Sequence, residues 1–235
     1  MLKTFTIFFL IFHISVGYAQ ESLFYKDAVQ LAARLVEEQP SEQIPQELIH
    51  SIEDALATLS ESNSSAANAV IYKYNIHPMA STNTSNIRLV VDKGVTWVND
   101  LKKTPIHEVF LDKELFNIKE GNSTDDFIVL ELHANSPLNM KHVANEVSVV
   151  NDIWMVEIPV EKKDGSDIQI KKIPNGFLFT FAYKFTNCEI GCEEAHYWEF
   201  SVTNGDEIDF IGEYGADLPT LKKKDLFTII TPSKL

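Results

Sequence analysis

The chain has 235 residues, enough for one sizeable domain or two small ones, and its 34 acids against 20 Lys and Arg give a formal charge of −14. That excess argues against nucleic acid as a partner, because binding there runs on cations set against phosphate. It argues equally against an anionic membrane surface and favours solubility, with cationic or basic-protein partners.

Residues 1–19 read as a secretory signal peptide. Lys3 supplies the positive start, 5–16 the apolar run, and Gly17-Tyr18-Ala19 the small residues before a cut after Ala19. The apolar run is too short to span a bilayer comfortably. No cysteine follows it to carry a lipid, so the predicted location is secreted or periplasmic, with no membrane span once the leader is gone. Losing Lys3 with no acid moves the formal charge from −14 to −15.

Residues 22–38 carry Phe24, Ala28, Leu31 and Leu35 at helical spacing, and Pro40 stops the pattern. A second helix is predicted from Pro45, inside its first turn, to about residue 60, with Leu48, Ile49, Ile52, Leu56 and Leu59 on one face. Together they make an αα-hairpin. Residues 61–68 are small and polar and read as a linker. Residues 69–76 read as a strand, with Val70, Tyr72 and Tyr74 on one face. A short strand at 87–91 and a turn or short helix at 96–100 follow. For 102–121 the pattern allows a helix or an irregular packing element. A strand at 127–133, a helix at 138–149 capped by Ser136 with Pro137 first, and a strand at 154–159 form a strand–helix–strand unit. Such units recur in ferredoxin-like domains, including peptidase propeptides and inhibitors, an analogy of fold alone. Residues 168–173 suggest a further strand.

The C-terminal part is the most strongly patterned. Phe177, Phe179, Phe181, Tyr183 and Phe185 alternate with smaller or polar residues, as do His196, Trp198, Phe200 and Val202. Asn204-Gly205 is the preferred pair for a two-residue type I′ turn. A three-stranded antiparallel meander is predicted near 177–185, 196–203 and 206–214. Its first connection holds the chain's two cysteines, Cys188 and Cys192. A disulfide there would close a very short ring, worth about 2 kcal/mol in the chain-entropy picture, and would pin a loop tip without holding up a core. Two other readings stay open: a zinc site with His196 and Glu193 or Glu194, and a redox thiol pair. His196 opens the apolar face of a strand, where a hydrogen-bonded structural histidine is the bland alternative.

The run Cys-x-x-Gly-Cys-x-x-x-His-Tyr-Trp-x-Phe-x-Val from Cys188, followed by Phe210-Ile211-Gly212-x-Tyr214-Gly215, resembles the C-terminal signature of a family of uncharacterised secreted bacterial proteins. The N-terminal helical pair and Ile87–Asp92 with Trp97-Val98 are similar to it too. The resemblance implies secretion, one domain unit and the disulfide. It carries no catalytic residue to this chain.

The predicted fold class is α+β: an N-terminal helical hairpin, then a mixed or antiparallel sheet with a strand–helix–strand unit, ending in the meander. The predicted organisation is a signal peptide at 1–19, the hairpin at 20–62 and an α+β domain at 63–235 forming one unit with it. No P-loop, Gly-x-Gly-x-x-Gly, Gly-x-Ser-x-Gly or His-Glu-x-x-His occurs. No catalytic residue, metal or cofactor is assigned. The expected function is a non-enzymatic extracytoplasmic binding or interaction domain for a protein or small molecule. Its candidate binding residues are Glu193, Glu194, His196 and Tyr197 beside the Cys188–Cys192 loop. The alternatives are a peptidase inhibitor or propeptide-like module, and a metal-dependent hydrolase using His196.

Overall fold

The computed structural model describes residues 23–79, 83–95, 115–160, 165–188 and 191–219. The expected signal peptide and the turn at 96–100 lie outside them, as do residues 102–114. Within them the fold is α+β, with helices and two antiparallel four-stranded sheets.

Helices α1 (Tyr25–Val36) and α2 (Gln46–Glu61) form the hairpin. Pro45 is the N-cap of α2, one position outside the expected first turn. Buried Ala28, Leu31 and Ala32 of α1 meet Ile49, Ile52, Leu56 and Leu59 of α2, so the apolar stripes face inward as their spacing dictates.

Residues 61–76 differ from expectation. The 61–68 stretch is no open linker: Ser64 accepts a hydrogen bond from Ala67 N (3.3 Å) and caps the short helix α3 (Ser65–Asn68). That helix runs into a π-helical turn, Ala69–Lys73, where a strand was predicted. The reason is burial. Val70, Ile71 and Tyr74 go inside while Tyr72 and Lys73 stay out, a helical set that the alternating β-branched and aromatic residues imitate. Packing overrides propensity here: Tyr74 seats its ring against Tyr183 (4.5 Å) and Trp198 (5.4 Å).

The middle sheet contains β1 (Asn86–Asp92), β2 (Phe116–Glu120), β3 (Phe127–Ala134) and β4 (Ile153–Glu157), in the order β2-β3-β1-β4. Leu115, Phe116 and Ile118, left between helix and irregular element by their pattern, belong to the start of β2 and the residue before it. Helix α4 (Met140–Ser148) joins β3 to β4. Both strands run antiparallel to β1 and lie on either side of it, which makes the unit a split β-α-β. The helix starts later than predicted, and its cap is Asn139 rather than Ser136. Met140, Val143 and Val147 bury against Ile87, Leu89, Val91, Leu130 and Leu132.

The second sheet is a separate meander of four strands, not three continuing one sheet: β5 (Asp167–Ile173), β6 (Gly176–Phe185), β7 (Glu194–Thr203) and β8 (Glu207–Gly215), paired in chain order. Asn204 and Gly205 have φ of 51° and 89°, the positive values a type I′ turn needs, but Asp206 extends the connection to three residues. Phe177, Phe179, Phe181, Trp198, Phe200 and Val202 form the inner face and close one core with α1, α2 and Tyr74. The middle sheet and α4 close a second core.

Two polar anchors fix this arrangement, one within the main core's elements and one between the two cores. Arg34 Nη2 lies 2.8 Å from Asp167 Oδ1, and the same oxygen accepts from Met79 N (2.7 Å) and Ile168 N (2.9 Å). Asn139, buried, donates from Nδ2 to Val36 O (2.8 Å) and Gln39 O (3.3 Å) while its Oδ1 accepts from His142 N (3.3 Å). One side chain thus ends α1 and begins α4.

Candidate functional site

Cys188 and Cys192 are joined in a disulfide, with Cα atoms 4.1 Å apart. The loop reaches it through left-handed residues: Thr186 (φ 64°), Asn187 (φ 53°) and Gly191 (φ 114°). Glu193 N donates to Thr186 O (3.1 Å) and closes the loop neck. The bond takes both sulfurs out of thiol and thiolate chemistry. Among the described residues no group of three or more His, Cys, Asp and Glu is placed to hold a metal.

The four candidate residues lie in this region but do not converge. Glu193 is exposed. Glu194 opens β7 and accepts from Thr186 Oγ1 (2.8 Å), which ties it back to the loop. His196 is buried on the core face beside Trp198, with ring centroids 4.5 Å apart. Its Nδ1–H donates to Ala216 O (2.8 Å), which fixes the tautomer, and its buried Nε2 sits 3.8 Å from Glu213 Oε2. Tyr197 points the other way, as strand alternation requires, and stacks on Tyr214 (5.1 Å, 18°) on the outer face of the sheet. The Tyr214 hydroxyl donates to Glu199 Oε1 (3.0 Å), and the same oxygen lies 3.4 Å from Thr180 Oγ1. Loss of hydration, then the Glu199 carboxylate, raise the Tyr214 phenol above the usual tyrosine range. This outer face is a rigid patch of two rings and one carboxylate that can meet a partner only at its surface.

A second surface went unremarked in the sequence. Helix α4 covers one face of the middle sheet, and the opposite face carries Val90, Val129, Phe127 and Met155 by alternation. A bulge between Val90 and Val91 leaves Trp154 opposite no residue of β1. Its ring turns onto Phe127, with centroids 5.1 Å apart, and remains 75% exposed; Met155 is 50% exposed. Beyond the apolar end, Arg88 lies between Glu157 (2.9 Å) and Glu131 (3.4 Å), and the Glu157 bond foremost strengthens its hold on its proton. The patch escaped notice because each apolar residue reads as ordinary core until the register shows that α4 takes only the alternate set.

Among the described residues no helix is long and apolar enough to cross a membrane. No protein-family model, curated protein or solved structure matches the chain.

Proposed function

We propose that this chain is a non-enzymatic extracytoplasmic interaction protein that docks a protein partner on the open face of its middle sheet. The observation that carries the reading is Trp154, 75% exposed, seated on Phe127 beside Met155. Exposed Trp and Met over a half-buried Phe in one patch, rimmed by charge, are the composition of an interface centre. Arg88, Glu131 and Glu157 supply the polar rim. The disulfide supports an oxidising compartment, and the signal-like leader and the resemblance to secreted bacterial proteins support the same location. Tyr197 with Tyr214 and Glu199, beside Glu193 and Glu194, is the second contact surface of this reading.

The test is a photo-crosslinking phenylalanine analogue placed at position 154, and separately at 197, in the mature secreted protein exposed to its native secreted medium. A saturable adduct at 154 that disappears with Met155→Lys supports the reading. Adducts at 197 alone, or at neither position, refute the choice of the middle sheet. The strand order and the β3–α4–β4 crossover favour a second, finer reading, in which the partner is a peptidase inhibited by this module. That reading requires inhibition of a co-secreted peptidase by the mature protein and its loss with Trp154→Ala.

A further inference from the structure

A groove of about 700 Å³ runs between the first half of α2 and the two hairpin turns at one end of the C-terminal sheet. Its size lies within the range of small-molecule sites, roughly 300–1,000 Å³. The floor is apolar and fixed: Val36, Phe177 and Val202 are buried members of the main core. One wall is α2, where Glu47 and Asp54 stand two turns apart on the same face with Ser51 between them. The other wall is the end of β5, with Lys172, and the turns, with Asn175 and Asn204, the Asn204 amide already donating to Glu207 Oε2 (2.8 Å).

The walls are held together. Asn204 N donates to Asn175 O (2.9 Å), which locks one turn to the other, and Thr58 Oγ1 of α2 donates to Gly205 O (3.1 Å), which locks helix to turn. A ligand therefore meets a groove already formed and pays little ordering cost. Among the described hydrogen bonds and ion pairs, neither the Glu47 nor the Asp54 carboxylate nor the Lys172 ammonium has a partner.

An apolar floor, an acidic wall and a basic, amide-bearing wall call for an occupant with a cation at one side, an anion or carbonyl at the other, and an apolar body between. We propose that the groove binds short apolar peptides with free termini, the α-ammonium set against Glu47 and Asp54 and the carboxyl end against Lys172 and Asn175. This site stands apart from the Trp154 surface and does not depend on it.

The probe is trileucine, titrated calorimetrically into the mature protein at low salt, beside its N-acetylated and its C-amidated forms. The expected result is a one-to-one complex with Kd of about 1 mM or tighter, weakened about tenfold or more by N-acetylation. The Glu47→Gln/Asp54→Asn double variant, whose changes are exposed and leave the fold intact, is expected to lose affinity for the free peptide and to bind the acetylated form no worse than the parent does. Lys172→Gln is expected to cancel the difference between free and amidated carboxyl ends. No heat of binding with trileucine, or equal binding of free and acetylated peptide, overturns the proposal. Failure here leaves crosslinking at position 154 unaffected, so the two readings fall separately.

Discussion

Replacing Asn139 with Ala is expected to cost the protein about 2 kcal/mol, from two separable losses. The first is the N-cap of α4, where Oδ1 accepts from His142 N, worth about 1 kcal/mol. The second is the bond from Nδ2 to the buried Val36 carbonyl (2.8 Å), worth about 1 kcal/mol net, since that oxygen keeps its bond from Gln39 N (2.8 Å). The main-chain bond from Asn139 N to Glu42 O survives the substitution, so the backbone path through the junction is retained. Two companion variants divide the sum. Asn139→Ser keeps a capping oxygen and loses the reach to α1, so it is expected to recover only the cap's share. Asn139→Asp keeps the cap but turns a carboxylate toward the carbonyls of Val36 and Gln39, and is expected to be at least as unstable as Ala at neutral pH. Urea unfolding of the mature protein, followed by tryptophan fluorescence and far-ultraviolet circular dichroism, gives the three values. An Ala variant within about 1 kcal/mol of the parent, or a Ser variant equal to it, would falsify the assignment of Asn139 as a double cap.

Two further outcomes follow from the C-terminal sheet. Removing the disulfide with Cys188→Ser/Cys192→Ser is expected to lower stability by about 2 kcal/mol or less and to leave the far-ultraviolet spectrum unchanged, because the ring pins a loop and no core residue depends on it; a collapse of the spectrum would contradict this. Burial, with Tyr74 adding to it, raises the Tyr183 phenol, and lost hydration with Glu199 raises Tyr214. A raised folded pKa contributes stability that is complete below the ordinary tyrosine value of about 10 and is lost as pH climbs through the folded value. Absorbance titration near 295 nm should therefore show these two ionising above the ordinary tyrosine value, with unfolding setting in on the alkaline side. Tyr214→Phe should remove one late-titrating group, and a single ordinary tyrosine transition would contradict the geometry.

Much of the frame could be read from side-chain spacing. Both long helices, β1, β3 and the alternating rings of β6 and β7 fall where their periodicities put them. The failures share a cause: local pattern does not say what a segment packs against. Val70, Tyr72 and Tyr74 alternate as a strand would, yet the segment turns helical and lays Tyr74 on Trp198. Ser136 is as good a cap as Asn139 in isolation; only Asn139 also reaches the end of α1, a partner about a hundred residues earlier. Sheet membership was equally hidden, since nothing in β4 or β5 states that consecutive strands part company there. At the cysteine loop, composition foretold a concentration of polar and aromatic groups, but alternation sends His196 inward and Tyr197 outward. The Trp154 surface needed the β1–β4 bulge, which no spacing rule marks.

The main core has a consequence for synthesis and export. Its helical half, with Leu31, Ile49 and Leu56, is made well before its sheet half, with Phe179, Trp198 and Phe200. The hairpin's oily side therefore has no permanent cover until strand β7 is complete, more than 130 residues after α2 ends. On the proposed extracytoplasmic route the chain must carry that uncovered stripe across a membrane, and long-range closure of this kind is slow and prone to sticking. The protein is accordingly expected to remain chaperone-dependent until release, and chains that terminate before β7 should be cleared or aggregate rather than persist as a partial fold.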